Sequence, residues 1–159
     1  MLKQFFTKEN ELKFIKHNKD ISLSQATAGS AGYDVQASLD KSVVIYPNEI
    51  KMIPLGFRVH IENPTMAAIL LPRSGLGKVG IVLANTVGLI DSDYQGEVMC
   101  ALKNTSNQEF VVTPLMRIAQ MIFIPVISPE VEIVESFEAT TERGNGGFGS
   151  TGVANSLPL

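Results

Sequence analysis

The sequence predicts an all-β domain of the sandwich or barrel type. Three observations lead there. Apolar residues come in short runs, at 43–46, 57–61, 66–71, 98–102, 110–112, 118–124 and 131–134, most of them bounded by Pro, Gly or Asn. In two of them, 57–61 and 98–102, the residues divide between two faces with a period of two, as a half-buried strand requires. No long stretch repeats its apolar residues at the helical period.

Taken in order, run 43–46 is short and closed by Pro47, so it reads as a brief strand. In run 57–61, Phe57, Val59 and Ile61 alternate with Arg58 and His60, which puts one face inward. Run 66–71 is continuously apolar and ends at Pro72, where one short helix could follow, limited by Gly75, Gly77 and Gly80. In run 98–102, Val98, Cys100 and Leu102 share one face, while Met99 and Ala101 share the other. Runs 110–112, 118–124 and 131–134 complete the set. There is no internal repeat.

The 159 residues fit one domain, and 45% apolar against 18% charged residues favours a packed core over disorder. A net charge of −3 lacks the basic excess that a broad grip on nucleic acid needs. One cysteine, Cys100, and two separated histidines, His17 and His60, give no disulfide framework and no His- or Cys-built metal site. No apolar run approaches the ~20 residues of a membrane span. The first ten residues lack a secretory apolar core, so the expected compartment is the cytoplasm.

The end of the chain differs in kind. Five glycines fall among the nine positions from Gly144 to Gly152, with a lone aromatic, Phe148, among them. Such a segment buries little and is costly to order. It reads either as a frayed tail or as an arm that orders over a ligand, and Phe148, which looks like a tethered stacking group, favours the arm. The expected division is therefore a β domain over 1–138 and an arm over 139–159. Gly144–Gly149 matches G-x-G-x-x-G literally, but no strand–helix unit surrounds it, so it is not a dinucleotide site.

Arginine occurs only four times, and three of the four stand in unusual settings. Arg73 lies in Pro72-Arg73-Ser74-Gly75-Leu76-Gly77, Arg117 opens Arg117-Ile118-Ala119-Gln120, and Arg143 opens the glycine arm. A guanidinium fork beside a hydroxyl and accessible backbone N–H groups suits phosphate, although Arg73 taken alone reads first as a surface salt bridge. Asp91 and Asp93 stand in Gly88-Leu89-Ile90-Asp91-Ser92-Asp93-Tyr94-Gln95-Gly96-Glu97, which reads as a hairpin turn between two strands. An aspartate there either closes an Asx-turn or serves as a carboxylate general base. Asp34, in Ala31-Gly32-Tyr33-Asp34-Val35, is a third isolated acid. On residue types alone, a nucleotide-hydrolysing enzyme and a nucleotide-sensing module stand level.

These segments, in this order, resemble the five motifs of the trimeric dUTP pyrophosphatase (dUTPase) family, in their bacterial form. The first is Ala31 to Val35, the second Pro72 to Gly77, the third Asn85 to Glu97, the fourth Arg117 to Gln120 and the fifth Arg143 to Gly152. The likeness spans 29–152, most of the chain. It departs in the run after Gly77, where Lys78-Val79-Gly80 is shorter than usual and lacks a histidine, and at Val35, where leucine is usual.

The resemblance implies a β jelly roll assembled as a homotrimer, with active sites shared between subunits. It implies hydrolysis of dUTP to dUMP and pyrophosphate with Mg²⁺. Asp91 would be the general base that orients water toward the α-phosphorus. Tyr94 would pack under the deoxyribose and exclude a ribose 2′-hydroxyl. Asn85, the backbone of Leu89 and Ile90, and Met99 would line a uracil slot. Arg73, Ser74, Gly75 and Gln120 would hold phosphates. Arg143, Phe148, Gly149 and Ser150 would close from a neighbouring chain. Mg²⁺ would ride on the triphosphate and water, with Asp34 reaching it through a water. Deaminases of dCTP share the fold but rely on a glutamate and lack the aspartate–tyrosine segment, so Asp91 and Tyr94 favour the pyrophosphatase.

Overall fold

A computed structural model describes residues 12–147. Phe148, Gly149 and Ser150, expected in the site, lie outside these described residues. The chain divides into two compact units, one ending at Ser128 and one beginning at Pro129, whereas composition suggested a boundary after residue 138.

The first unit is almost wholly β, as expected. Its strands are β1 (Lys13–Lys16), β2 (Tyr33–Gln36), β3 (Val43–Ile45), β4 (Ile50–His60), β5 (Met66–Pro72), β6 (Ile81–Leu83), β7 (Gly88–Ile90), β8 (Glu97–Asn104), β9 (Phe110–Val112) and β10 (Arg117–Pro125). One helical turn, α1 (Ser74–Gly77), follows Pro72 where the glycines left room for it. The strands form two four-stranded sheets, in the orders β1-β4-β8-β6 and β2-β10-β5-β7, and a β3-β9 pair. Every pairing is antiparallel.

One hydrophobic cluster joins the inner faces of both large sheets, as in a jelly-roll sandwich. From the first sheet come Phe57, Val59, Val98, Cys100 and Leu102, the alternation read from the sequence. From the second come Val35, Leu70, Ala119 and Met121. Burial pushes the Cys100 thiol up to about 12, so it stays protonated and serves as packing. β4 is bent by a register shift between Pro54 and Arg58, with Gly56 at φ +72°. A Cβ on Gly56 would stand 2.6 Å from the Ser38 Oγ, so only glycine fits this bulge.

Asn104 is the only buried polar residue among those described. Its Nδ2 donates to the carbonyls of Ile45 (2.9 Å) and Gln108 (2.7 Å), and its Oδ1 accepts from the Ser106 N–H and hydroxyl. It therefore ties β8 to β3 and shapes the loop before β9. Asn104→Ala should cost about 2–4 kcal/mol, because buried acceptors lose their partners at about 1–3 kcal/mol each. Urea unfolding monitored by circular dichroism reads this; a loss near zero would show that water replaces the amide.

Four strands were not marked by the apolar runs: β1, β2, β6 and β7 have three or four residues each. The run at 131–134 is not a strand. Val131, Ile133 and Val134 are exposed within the second unit, which is made of bends and turns over its described residues. Apolar residues alone do not make a strand where no ladder partner is present. Among the described residues no helix is long and apolar enough to cross a membrane.

Candidate functional site

The segment carrying Asp91 and Tyr94 is not the hairpin that the sequence suggested. β7 pairs with β5 in one sheet, and β8 pairs with β4 and β6 in the other. Residues 91–96 therefore cross from sheet to sheet, closed by a turn in which the Tyr94 N–H donates to the Asp91 carbonyl at 3.2 Å. The pattern of strand–turn–strand is identical for a hairpin and a crossing, and only the ladder partners tell them apart.

The crossing opens one end of the sandwich. It leaves a cavity of about 210 Å³ whose lining includes Asn85, Leu89, Ile90, Asp91, Tyr94 and Met99. These are the residues expected to hold a base, a sugar and a water. Leu70, Gly88 and Val98 complete the lining and were not singled out for it. Gly88 lies against Leu70, where an added Cβ would sit 3.1 Å from the Leu70 Cβ, so β7 approaches β5 closely at the slot. Leu89 is 64% exposed on the open side of the slot, while Ile90 is buried.

Asp91 is exposed, and among the described residues its carboxylate makes no hydrogen bond. The Asx-turn reading thus fails for Asp91: the turn is made by its main chain alone. A carboxylate with open lone pairs, fixed by a backbone turn, can accept a proton from water. Tyr94 is held differently. Its hydroxyl donates to the Glu97 carbonyl at 2.9 Å, which folds the ring back over Gly96.

A second network anchors the crossing from behind. The Glu62 N–H donates to the Ser92 carbonyl at 3.1 Å, with Glu62 at φ +59°. The Glu62 carboxylate takes the Lys13 ammonium at 2.7 Å and faces His60 Nδ1 at 3.3 Å. The Lys13 hydrogen bond holds the Glu62 carboxyl below the usual carboxylate range. Gln95 reaches the other His60 nitrogen at 3.4 Å.

Arg73, Arg117, Gln120 and Asp34 come together elsewhere, around β2, β10 and the end of β5. Asp34 stands between two guanidiniums: its Oδ1 is 3.0 Å from Arg73 Nε and its Oδ2 is 3.1 Å from the Arg117 Nη1. Arg73 also donates to the Arg117 carbonyl at 3.1 Å. Gln120 donates to the Pro72 carbonyl at 2.9 Å, which holds the loop that carries Arg73. Register explains the meeting: Gln120 lies opposite both Asp34 on β2 and Leu71 on β5. Ser74 and Gly75 are exposed at the start of α1, and among the described residues their N–H groups have no backbone acceptor. Two cations, one anion and free N–H donors leave this cluster suited to phosphate. Arg117 was noted in the sequence without a site role; its pairing with Asp34 gives it one.

None of Arg73, Ser74, Gly75 or Gln120 lines the slot that holds Asp91. Within one chain the anion cluster and the slot share no lining residue. Arg143, in the second unit, donates from Nε to the Gly146 carbonyl at 3.0 Å and so shapes its own turn. For a metal ion, no group of three or more His, Cys, Asp or Glu side chains gathers among the described residues. The donor set therefore fits only an ion that brings most of its oxygens with it. Asp34 could still accept a water, because a carboxylate offers about four lone-pair positions.

Comparison with known proteins gives one family. The dUTPase family model matches residues 18–152. The chain is similar to the deoxyuridine 5′-triphosphate nucleotidohydrolase of Klebsiella pneumoniae subsp. pneumoniae, 53% identical over 128 residues, which is 80% of this chain and 84% of that one. It is as similar to the enzyme of the same name from Salmonella typhi, again 53% identical over 128 residues, with the same 80% and 84% covered. Among solved structures, the Staphylococcus bacteriophage 80alpha dUTPase with dUpNHpp superposes with a TM-score of 0.81 at 26% identity, over 91% of this chain and 99% of that one.

Proposed function

The chain belongs to the dUTPase family and is a dUTP diphosphatase, and we propose that it splits dUTP by Mg²⁺-assisted in-line attack of an Asp91-activated water on the α-phosphorus. The observation that carries this reading is the slot itself. Asp91, whose carboxylate is unengaged among the described residues, lines a cavity whose other walls suit a flat base and a deoxyribose.

In this reading Asn85 and the main chain of Leu89 and Ile90 pair with uracil, and Met99 packs on it. A base with the wrong donor pattern leaves buried polar groups unpaired, which is costly. Tyr94 lies under the deoxyribose. Asp91 takes a proton from water as the oxygen attacks the α-phosphorus, and pyrophosphate leaves on the opposite side. Arg73, Ser74, Gly75 and Gln120 hold the phosphates and the leaving group. Asp34 keeps the two guanidiniums in place and would accept a hydrogen bond from a water carried by the ion. Mg²⁺ carried on the triphosphate supplies charge neutralisation and alignment.

The slot and the anion cluster share no lining residue in one chain, and the proposed site joins the slot of one protomer to the cluster of another in a homotrimer. The outer face of the β4–β8 pair supports association, because Ile50, Met52 and Met99 stand exposed together on it. Residues 139–159 form the proposed arm, with Arg143, Phe148, Gly149 and Ser150 closing from a neighbouring chain. A cytoplasmic setting, where deoxynucleotides are made, suits this role in limiting uracil in DNA and supplying dUMP.

The test is pyrophosphate release from dUTP, dCTP, dTTP and UTP, each with and without Mg²⁺. The expected result is release from dUTP alone, dependent on the ion. Equal release from dCTP or UTP would overturn the slot assignment. Sedimentation equilibrium should give a trimer; a stable and fully active monomer would overturn the shared site. Tyr94→Ala should lower the dUTP/UTP ratio of kcat/KM by about tenfold, the scale on which a pocket contact discriminates. An unchanged ratio would remove Tyr94 as the sugar wall.

A further inference from the structure

Gly96 follows Tyr94 by two residues, immediately before β8. Glycine is not there for its backbone freedom, because Gly96 is not among the described residues with positive φ. It is there for space. A Cβ on Gly96 would stand 2.5 Å from the Tyr94 Cζ and 2.9 Å from its Cε2. No real Cβ tolerates that approach. The hydroxyl end of the phenol ring fills the space beside residue 96, and its hydroxyl donates to the Glu97 carbonyl.

The atoms in the way belong to the far end of a side chain, not to backbone. An added methyl would therefore displace the ring rather than break the strand. The ring would swing off residue 96, lose the Glu97 carbonyl, and move within the slot that it lines. We infer that Gly96 is a specificity-determining position: its missing side chain seats the Tyr94 ring at the depth where it excludes a ribose 2′-hydroxyl. The inference rests on Tyr94 being the sugar wall. Gly96 is not among the residues that line the slot, whereas Tyr94 is, so Gly96 acts through Tyr94 as a positioning residue.

A double-mutant cycle of Gly96→Ala and Tyr94→Ala tests it, with kcat/KM measured for dUTP and UTP on the assembled enzyme and circular dichroism as the check on folding. Gly96→Ala should lower the dUTP/UTP ratio by about tenfold. In the Tyr94→Ala background the same change should add nothing, since the ring that it displaces is gone. If Tyr94→Ala lowers the ratio but Gly96→Ala does not, or if the two effects multiply, the role of Gly96 is overturned while the sugar wall stands. If Tyr94→Ala leaves the ratio unchanged, the wall itself is wrong. Should Gly96→Ala alone fail to fold, Tyr94→Phe reads the same lock, because it keeps the ring and deletes the hydroxyl held by Glu97. A lowered ratio then supports the inference, and an unchanged one overturns it.

Discussion

Asp91→Asn should abolish most turnover while leaving dUTP binding nearly intact. The amide is isosteric, and the main chain of Asp91, not its side chain, closes the turn with Tyr94. The exchange therefore leaves the crossing in place and removes only the basic lone pairs. A positioned general base contributes roughly 10²–10⁴-fold, so kcat should fall by that factor. The dissociation constant of a non-hydrolysable dUTP analogue should move by less than about threefold, within the scatter of a conservative surface change. A kcat within a factor of two of the parent would show that the water is activated by another group. A large loss of affinity instead would mean that the carboxylate holds the substrate or its ion.

Removing residues 143–159 should leave the fold unchanged and collapse hydrolysis. The first unit has its own core, and among the described residues no fully buried member of it lies beyond Met121 and no partly buried one beyond Phe123. Thermal unfolding of the truncated chain should accordingly stay close to that of the full chain. Stacking of an aromatic ring on a base is worth about 1–3 kcal/mol, and a charged hydrogen bond from arginine about 1.5–3 kcal/mol. Loss of both should lower kcat/KM for dUTP by 100-fold or more, on the scale of about 1.4 kcal/mol per tenfold. Phe148→Ala alone should give the smaller, stacking part. A truncated enzyme at full rate would show that the segment is a tail and that no closure over the substrate is needed.

The inward faces of β4 and β8 were legible because alternation is a local signal: Phe57, Val59, Val98, Cys100 and Leu102 all face the core. β1, β2, β6 and β7 were less so: strands of three or four residues carry too few alternations to read, and the equally short β3 and β9 were marked only by being continuously apolar. Their pairing partners supply what the sequence window does not. The crossing at 91–96 shows the same limit, since its turn residues look like those of a hairpin. The residues around the slot were named through the resemblance, and their proximity needed the fold. The anion cluster was half legible. Arg73 and Gln120 stood out, but the seat of Asp34 between Arg73 and Arg117 depends on β10 lying between β2 and β5. No local pattern encodes that.

Because the Asp91–Gly96 link starts in one sheet and ends in the other, the two layers of the sandwich act as the jaws of a calliper. The gap between them sets how far Leu89 and Ile90 on β7 stand from Val98 and Met99 on β8 across the slot. Substitutions in the interior that let the layers slide or spread would register as a change in selectivity and rate well before the molecule melts. Drift in the interior of this chain is thus restrained twice, once by stability and again by the measurement that the calliper makes.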